Sequence, residues 1–220
     1  MPANNSPATQ GRGRSASDLC PSHGNFPARC VRSTLAALAC FGAMSLAARA
    51  ETLEQRLAPC LACHGEQGQS SLPAVPSLGA QPAPYLLIQL YLFRARQRLL
   101  EVMNEASKDL SDDDLRTFSD FIAKLPAPPP ADGEPIDPAR IDRGQALVRQ
   151  YRCDFCHSPD LSGRDNIPRL AGQREDYLIK AMRAYKSNAR PGYDASMADV
   201  LARTSDAEIL DLAYFAARQP

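Results

Sequence analysis

Two five-residue stretches constrain this chain more than anything else in it: Cys60-Leu61-Ala62-Cys63-His64 and Cys153-Asp154-Phe155-Cys156-His157. Each sets two thiols one helical turn apart with an imidazole next in line. That spacing lets both thiols add to the vinyl groups of one porphyrin while the imidazole binds its iron. Two such motifs predict two covalently bound haem c groups. Other uses of Cys-x-x-Cys account for less. A thioredoxin-like redox pair needs a βαβ context and gives no reason for a histidine after both pairs. A single zinc site normally has its two pairs ~15–20 residues apart, whereas nearly ninety residues and a Pro-rich segment separate them here. Plain disulfides at this spacing would be strained, although an oxidising compartment would permit them.

The opening fifty residues read as a cleavable export signal. A polar, Arg-containing stretch leads into an apolar run from Leu35 to Leu46, and Ala48-Arg49-Ala50 supplies an A-x-A cleavage site before Glu51. Val31 to Ala50 alone has normal signal length, which places the true start near Val31 and predicts a periplasmic protein. Lipidation at Cys40 is the other reading, and Ala37-Leu38-Ala39 matches such a site poorly. The apolar run is too short to span a bilayer. Cleavage removes Cys20, Cys30, Cys40 and His23. Every remaining Cys and His then belongs to one of the two motifs. The full chain balances 25 basic against 25 acidic residues, and losing Arg12, Arg14, Arg29, Arg32, Arg49 and Asp18 leaves it net acidic. That balance argues against nucleic acid and for a protein partner that docks through a mixed or basic patch.

Residues 51–125 and 139–220 are repeats of each other. Pro76-Ser-Leu-Gly-Ala-Gln-Pro-Ala-Pro-Tyr-Leu86 echoes Pro168-Arg-Leu-Ala-Gly-Gln-Arg-Glu-Asp-Tyr-Leu178, and Leu110-Ser111 through Leu115 echoes Thr204-Ser205 through Ile209. Between the halves, residues 126–138 hold six prolines in thirteen positions, which predicts an extended, semi-rigid linker with little to bury. Ser111 with Asp114, and Ser205 with Glu208, have capping-box spacing ahead of apolar residues at helical period. Middle helices are expected at Tyr85–Gln97 and Asp176–Lys186, and a helix over Asp142–Arg152 should run straight into the second motif. No alternating run predicts a sheet. The fold expected is all-α, two small domains whose cores each need a haem to be large enough.

The sixth iron ligand separates an electron carrier from a site open to gases or peroxide. With no histidine left, the thioethers are Met103, Met182 and Met197. Most methionines fill core gaps. Met103 and Met197, however, each stand eight residues before the serine of the last helix, whereas Met182 matches Leu90 in the other half. The repeat therefore points to Met103 and Met197 as ligands and to Met182 as core. Met/His ligation also raises the potential, as an electron carrier requires. The bland use of Arg94, Arg96 and Arg98 is a solvated helix face, and the sharper one is pairing with propionates or a partner.

These motifs carry a resemblance over nearly all of residues 51–219. The chain resembles the di-haem, two-domain class I cytochromes c, closest to the cytochrome c4 type. The resemblance implies two tandem cytochrome c domains that pass electrons between redox partners such as a terminal oxidase, a quinol-oxidising complex or a dehydrogenase. Peripheral membrane association is left open. It also implies that the carbonyls of Pro76 and Pro168 accept hydrogen bonds from the haem-ligating imidazoles, a plain loop turn being the other use of those prolines. Gly144 matches the small residue at which the family's first and last helices cross near an aromatic, here Tyr214 or Phe215, and the first half offers only Ala58. Two other readings stand beside this one. The chain could be the haem subunit of an oxidoreductase complex acting on sulfur compounds, or a peroxidase-like enzyme with its catalytic haem at the Met103 site.

Overall fold

The computed structural model describes residues 51–132, 135–190 and 195–220, so the leader, its cleavage site and Cys40 lie outside the described residues. Nine helices form among these residues, and no strand does; a single bridge joins Arg164 to Ile167. None of these helices is long and apolar enough to cross a membrane.

In the first half, α1 (Leu53–His64) carries the first motif in its last turns, and α2 (Ala83–Arg94), α3 (Glu101–Ser107) and α4 (Asp112–Ile122) follow. In the second, α5 (Pro138–Gln150) leads to the short α6 (Cys153–His157), then α7 (Glu175–Lys186), α8 (Ser196–Ala202) and α9 (Asp206–Ala217). The ends of these helices follow from local chemistry. Ser111 Oγ accepts from the Asp114 amide while the Asp114 carboxylate accepts from the Ser111 amide, and Ser205 with Glu208 repeats this at α9. Thr52 with Gln55 makes a third such box that starts α1.

Each half builds a small core behind its last helix. Leu57, Leu86, Phe118 and Ile122 cluster in the first half, while Leu147, Val148, Leu178, Leu212, Phe215 and their neighbours cluster in the second. Gly144 lets α5 lie directly on α9, because a Cβ there would collide with Phe215 Cβ and the Asp211 carbonyl. Phe215, not Tyr214, is thus the aromatic at the crossing. Tyr214 instead donates its ring to two cations, with the Arg140 and Arg218 guanidinium carbons 3.8 and 3.5 Å from the ring centre. Ala58, the expected small residue of the first half, faces solvent. α1 meets α4 through Leu57 and the Arg56–Asp114 ion pair at 2.5 Å rather than through close backbones.

Three expectations change. α2 ends at Arg94 instead of Gln97, since Arg96 takes a left-handed φ of 53°. The three arginines therefore share no helix face: Arg94 bonds the Leu110 carbonyl and Asp112, Arg96 pairs with Glu101, and Arg98 bonds Gln89 and, at 3.4 Å, Tyr177 of the other half. The helix before the second motif is interrupted, because Arg152 is left-handed (φ 54°) between α5 and α6. Finally, the Pro-rich segment is seated on both halves. Pro128 is buried, Gln69 Nε2 donates to the Ala127 carbonyl at 3.0 Å, and the Ala131 amide donates to the Ala217 carbonyl at 2.7 Å. At Gly172, with φ 67°, a Cβ would strike the Pro128 carbonyl, so only glycine admits this seat.

Candidate haem sites

The last turn of α1 and the whole of α6 each present two cysteines and a histidine on one helical turn. Their thiols are unbridged, with Cys60 and Cys153 half-buried and Cys63 and Cys156 exposed. Burial pushes the Cys153 thiol up to about 11 and raises Cys60 as well, so both are protonated at neutral pH in the bare polypeptide. His64 and His157 are buried. His64 Nδ1 lies 2.8 Å from the Pro76 carbonyl, and His157 Nδ1 lies 2.8 Å from the Pro168 carbonyl. A carbonyl only accepts, so Nδ1 carries the proton in both rings and Nε2 is the nitrogen free to bind a metal. Burial lowers both imidazole pKa values, which keeps the rings neutral as metal binding needs.

The loops that bring each proline to its histidine fold alike. Gly68 and Leu161 are both left-handed, and each offers its carbonyl to two successive amides, Leu78 and Gly79 in one half, Leu170 and Ala171 in the other. Gly65 and Ser158, each just after its motif, also share positive φ. The repeat thus extends to backbone conformations that side-chain identity conceals.

In the second half the motif opens on a cavity of about 800 Å³ of atom-free space, part of it open to solvent. Cys153, Cys156 and His157 stand on its wall together with Val148, Leu161, Leu170, Leu178, Leu212 and, from α7 and α8, Met182 and Met197. The wall is almost wholly apolar. Two thiols, a neutral imidazole with Nε2 free, a thioether and an apolar wall fit a porphyrin held at both its edge and its iron. Met182 also packs against the second core, so it belongs to core and cavity at once. Met103 lies half-buried in the first turn of α3, where its carbonyl accepts from Ser107 Oγ at 2.7 Å. Beside it, Asn104 is almost fully buried and ties its own loop together, accepting from the Leu100 amide and donating to the Phe93 and Arg98 carbonyls. Standing between Glu101 and Glu105, Asn104 carries no signal in the sequence that would set it apart from a solvated helix residue.

A polar cluster bridges the two halves. The buried Arg190 guanidinium bonds Tyr177 and Tyr85 hydroxyls at 3.3 and 3.2 Å and Gln89 Oε1 at 3.2 Å, while Arg98 reaches Gln89 at 2.6 Å. Burial would raise the Tyr177 hydroxyl, but the two guanidinium groups outweigh it and hold it near 8. Tyr85 and Tyr177 are equivalent positions of the repeat, so the pair sits about the relation between halves.

A helical chain of two repeated domains, each with a Cys-x-x-Cys-His turn backed by a proline carbonyl, defines a di-haem, electron-transferring c-type cytochrome with two covalent haem c groups. No protein-family model matches the chain. Cytochrome c4 of Thiocapsa roseopersicina is 30% identical over 167 residues, covering 71% of this chain and 84% of that protein. The thiosulfate dehydrogenase electron acceptor of Thiomonas intermedia is 31% identical over 195 residues, covering 84% and 90%. Reduced recombinant cytochrome c4 from Pseudomonas stutzeri superposes with a TM-score of 0.69 at 28% identity, covering 76% of this chain and 96% of that one. The chain belongs to the cytochrome c4 family.

Proposed function

We propose that this is an exported, periplasmic electron carrier in which His64 and Met103 ligate the first iron and His157 and Met197 the second, with Cys60, Cys63, Cys153 and Cys156 as thioether anchors. The observation that carries this reading is the second cavity, where Met197 lines the same apolar wall as Cys153, Cys156 and His157. Each haem, when bound, supplies one-electron chemistry at its iron. The polypeptide does the rest. Pro76 and Pro168 hold each imidazole in one orientation and one tautomer, and the leucines and valines of the second cavity surround its group with apolar side chains. The thioethers complete the coordination so that electrons pass without bond chemistry. In this reading residues 51–125 and 139–220 are the two domains, and residues 126–138 connect them.

The test is direct. Holo-protein from cells that attach c-type haem should have an intact mass corresponding to two haems and should begin at Glu51. One haem or none per chain would overturn the assignment.

The Thiomonas relative's name favours one partner, an enzyme that oxidises thiosulfate. Mixing the ferric holo-protein with such a dehydrogenase and thiosulfate should reduce both haems at a rate that saturates with cytochrome. Reduction no faster than without the dehydrogenase would leave a terminal oxidase or a quinol-oxidising complex as the partner class.

A further inference from the structure

The bonds that fix the two histidines run through backbone that the opposite half grips. The carbonyl of Pro76 and the amide of Ser77 belong to one planar peptide group. Its oxygen accepts from His64 Nδ1 at 2.8 Å, and its N–H donates to Gln173 Oε1 at 2.8 Å. Gln173 Nε2 then donates to the Ser77 carbonyl at 2.8 Å, closing a two-point clamp. The other half reverses the roles. The Pro168–Arg169 peptide accepts from His157 and donates to Gln81 Oε1 at 3.0 Å, and Gln81 Nε2 donates to the Arg169 carbonyl at 2.9 Å. Both glutamines are buried, at 4% and 3% exposure, and occupy equivalent positions of the repeat.

Hydrogen bonds in series through one peptide polarise each other. Drawing on the N–H makes the carbonyl a better acceptor, which tightens the imidazole N–H bond and gives the ring more anionic character. A more basic ligand favours ferric over ferrous iron and lowers the potential. Resting on the reading of His64 and His157 as iron ligands, we propose that Gln173 and Gln81 are crossed positioning residues, each tuning the haem of the domain it does not belong to. The grips are unequal. Domain 1's loop is also held by Arg174, which donates to the Ser70 carbonyl at 3.1 Å, and by Asp176, which accepts from the Ala74 amide at 2.9 Å. The equivalent positions in the first half are Pro82 and Pro84, which have no such side chains to offer. Gln81 is therefore the side-chain grip on the second loop that has no helper of this kind.

The experiment is a redox titration of the full holo-protein, with the two midpoints assigned to their domains by NMR of the haem methyls. Gln81→Leu should raise the second haem's midpoint and leave the first in place. Gln173→Leu should raise the first by a smaller amount, because Arg174 and Asp176 still hold that loop. Gln81→Glu and Gln173→Glu, which keep an acceptor for the peptide N–H, should restore or lower the midpoint, and they serve where a leucine variant does not fold. Shifts confined to the variant's own domain, equal shifts in both haems, or no shift with two haems still attached would overturn the crossed arrangement. Unmodified holo-protein whose NMR and absorption spectra showed iron without histidine ligation would instead overturn the ligand reading beneath it.

Discussion

In the first half one helix from Leu53 to His64 carries the haem-binding motif itself, whereas in the second the helix stops at Gln150 and restarts at Cys153. The residue just before the first cysteine decides this. It is Pro59 in the first half, whose ring fixes φ near −65° and cannot turn left-handed, and Arg152 in the second, which does, at φ 54°. The break lets α5 swing down onto α9 through Gly144, while the unbroken α1 touches α4 by side chains only. The same hydrogen bond from imidazole to proline carbonyl is thus reached over two different supports. The lesson is that this repeat conserves the loop which holds the imidazole more closely than the helix which delivers it.

The comparison is broken most sharply at the methionines. With Met197 as the proposed ligand, Met197→Ala should lower the second midpoint and change its absorption spectrum, whereas Met182→Ala, on the same cavity wall, should leave both unchanged. Met103→Ala should do in the first half what Met197→Ala does in the second. An unchanged spectrum and midpoint there would end the equivalence of the two sites.

Next comes the helix crossing. Gly144→Ala forces a methyl into Phe215 and should destabilise the second half by ~1–3 kcal/mol in denaturant unfolding. Ala58→Leu, on the exposed face of α1, should move stability by less than about 0.5 kcal/mol. Comparable losses from both would mean that the first half also packs backbone to backbone.

A smaller effect is expected at Ser119, whose Oγ is buried without a hydrogen-bond partner among the described residues. Its counterpart in α9 is Ala213. Ser119→Ala should stabilise the first half by about 1 kcal/mol by removing an unpaired hydroxyl.

The smallest difference is acidic. The Asp211 carboxyl is held below its usual 3.8 by hydrogen bonds from Arg143 and then Arg140, which tie α9 to α5. A lowered carboxyl contributes stability above the ordinary value and loses it as pH falls through the depressed one. Asp211→Asn should therefore flatten the loss of stability of the second half on acidification, an effect kept small by the exposure of its partner Arg143.

Much of this was legible beforehand because it is local. The capping serines and the Cys-x-x-Cys-His turns depend on residues a few positions apart, and the repeat is a match of letters that needs no contact to be seen. What escaped was set by contacts between distant segments. The run Arg94 to Arg98 has good helix formers, yet α2 stops there because Asn104 takes up the Phe93 and Arg98 carbonyls and Arg96 turns left-handed. The paired glutamines were visible as repeated letters, but a repeat cannot say whether Gln81 serves its own half or the other. Composition read residues 126–138 as a spacer, since a proline count does not reveal which carbonyls find a seat.

That seat has a consequence for the order in which the chain matures. The Ala131 amide is held by Ala217 in the last turn of α9, and Gly172, which Pro128 leans on, is held by Ala216. Until α9 has formed, neither carbonyl is in place, so the strap between the two halves stays open to solvent whatever else has folded. Removing the last turn of α9 would therefore be felt in the middle of the protein, and slow hydrogen exchange at the Ala131 amide would report that the strap is seated.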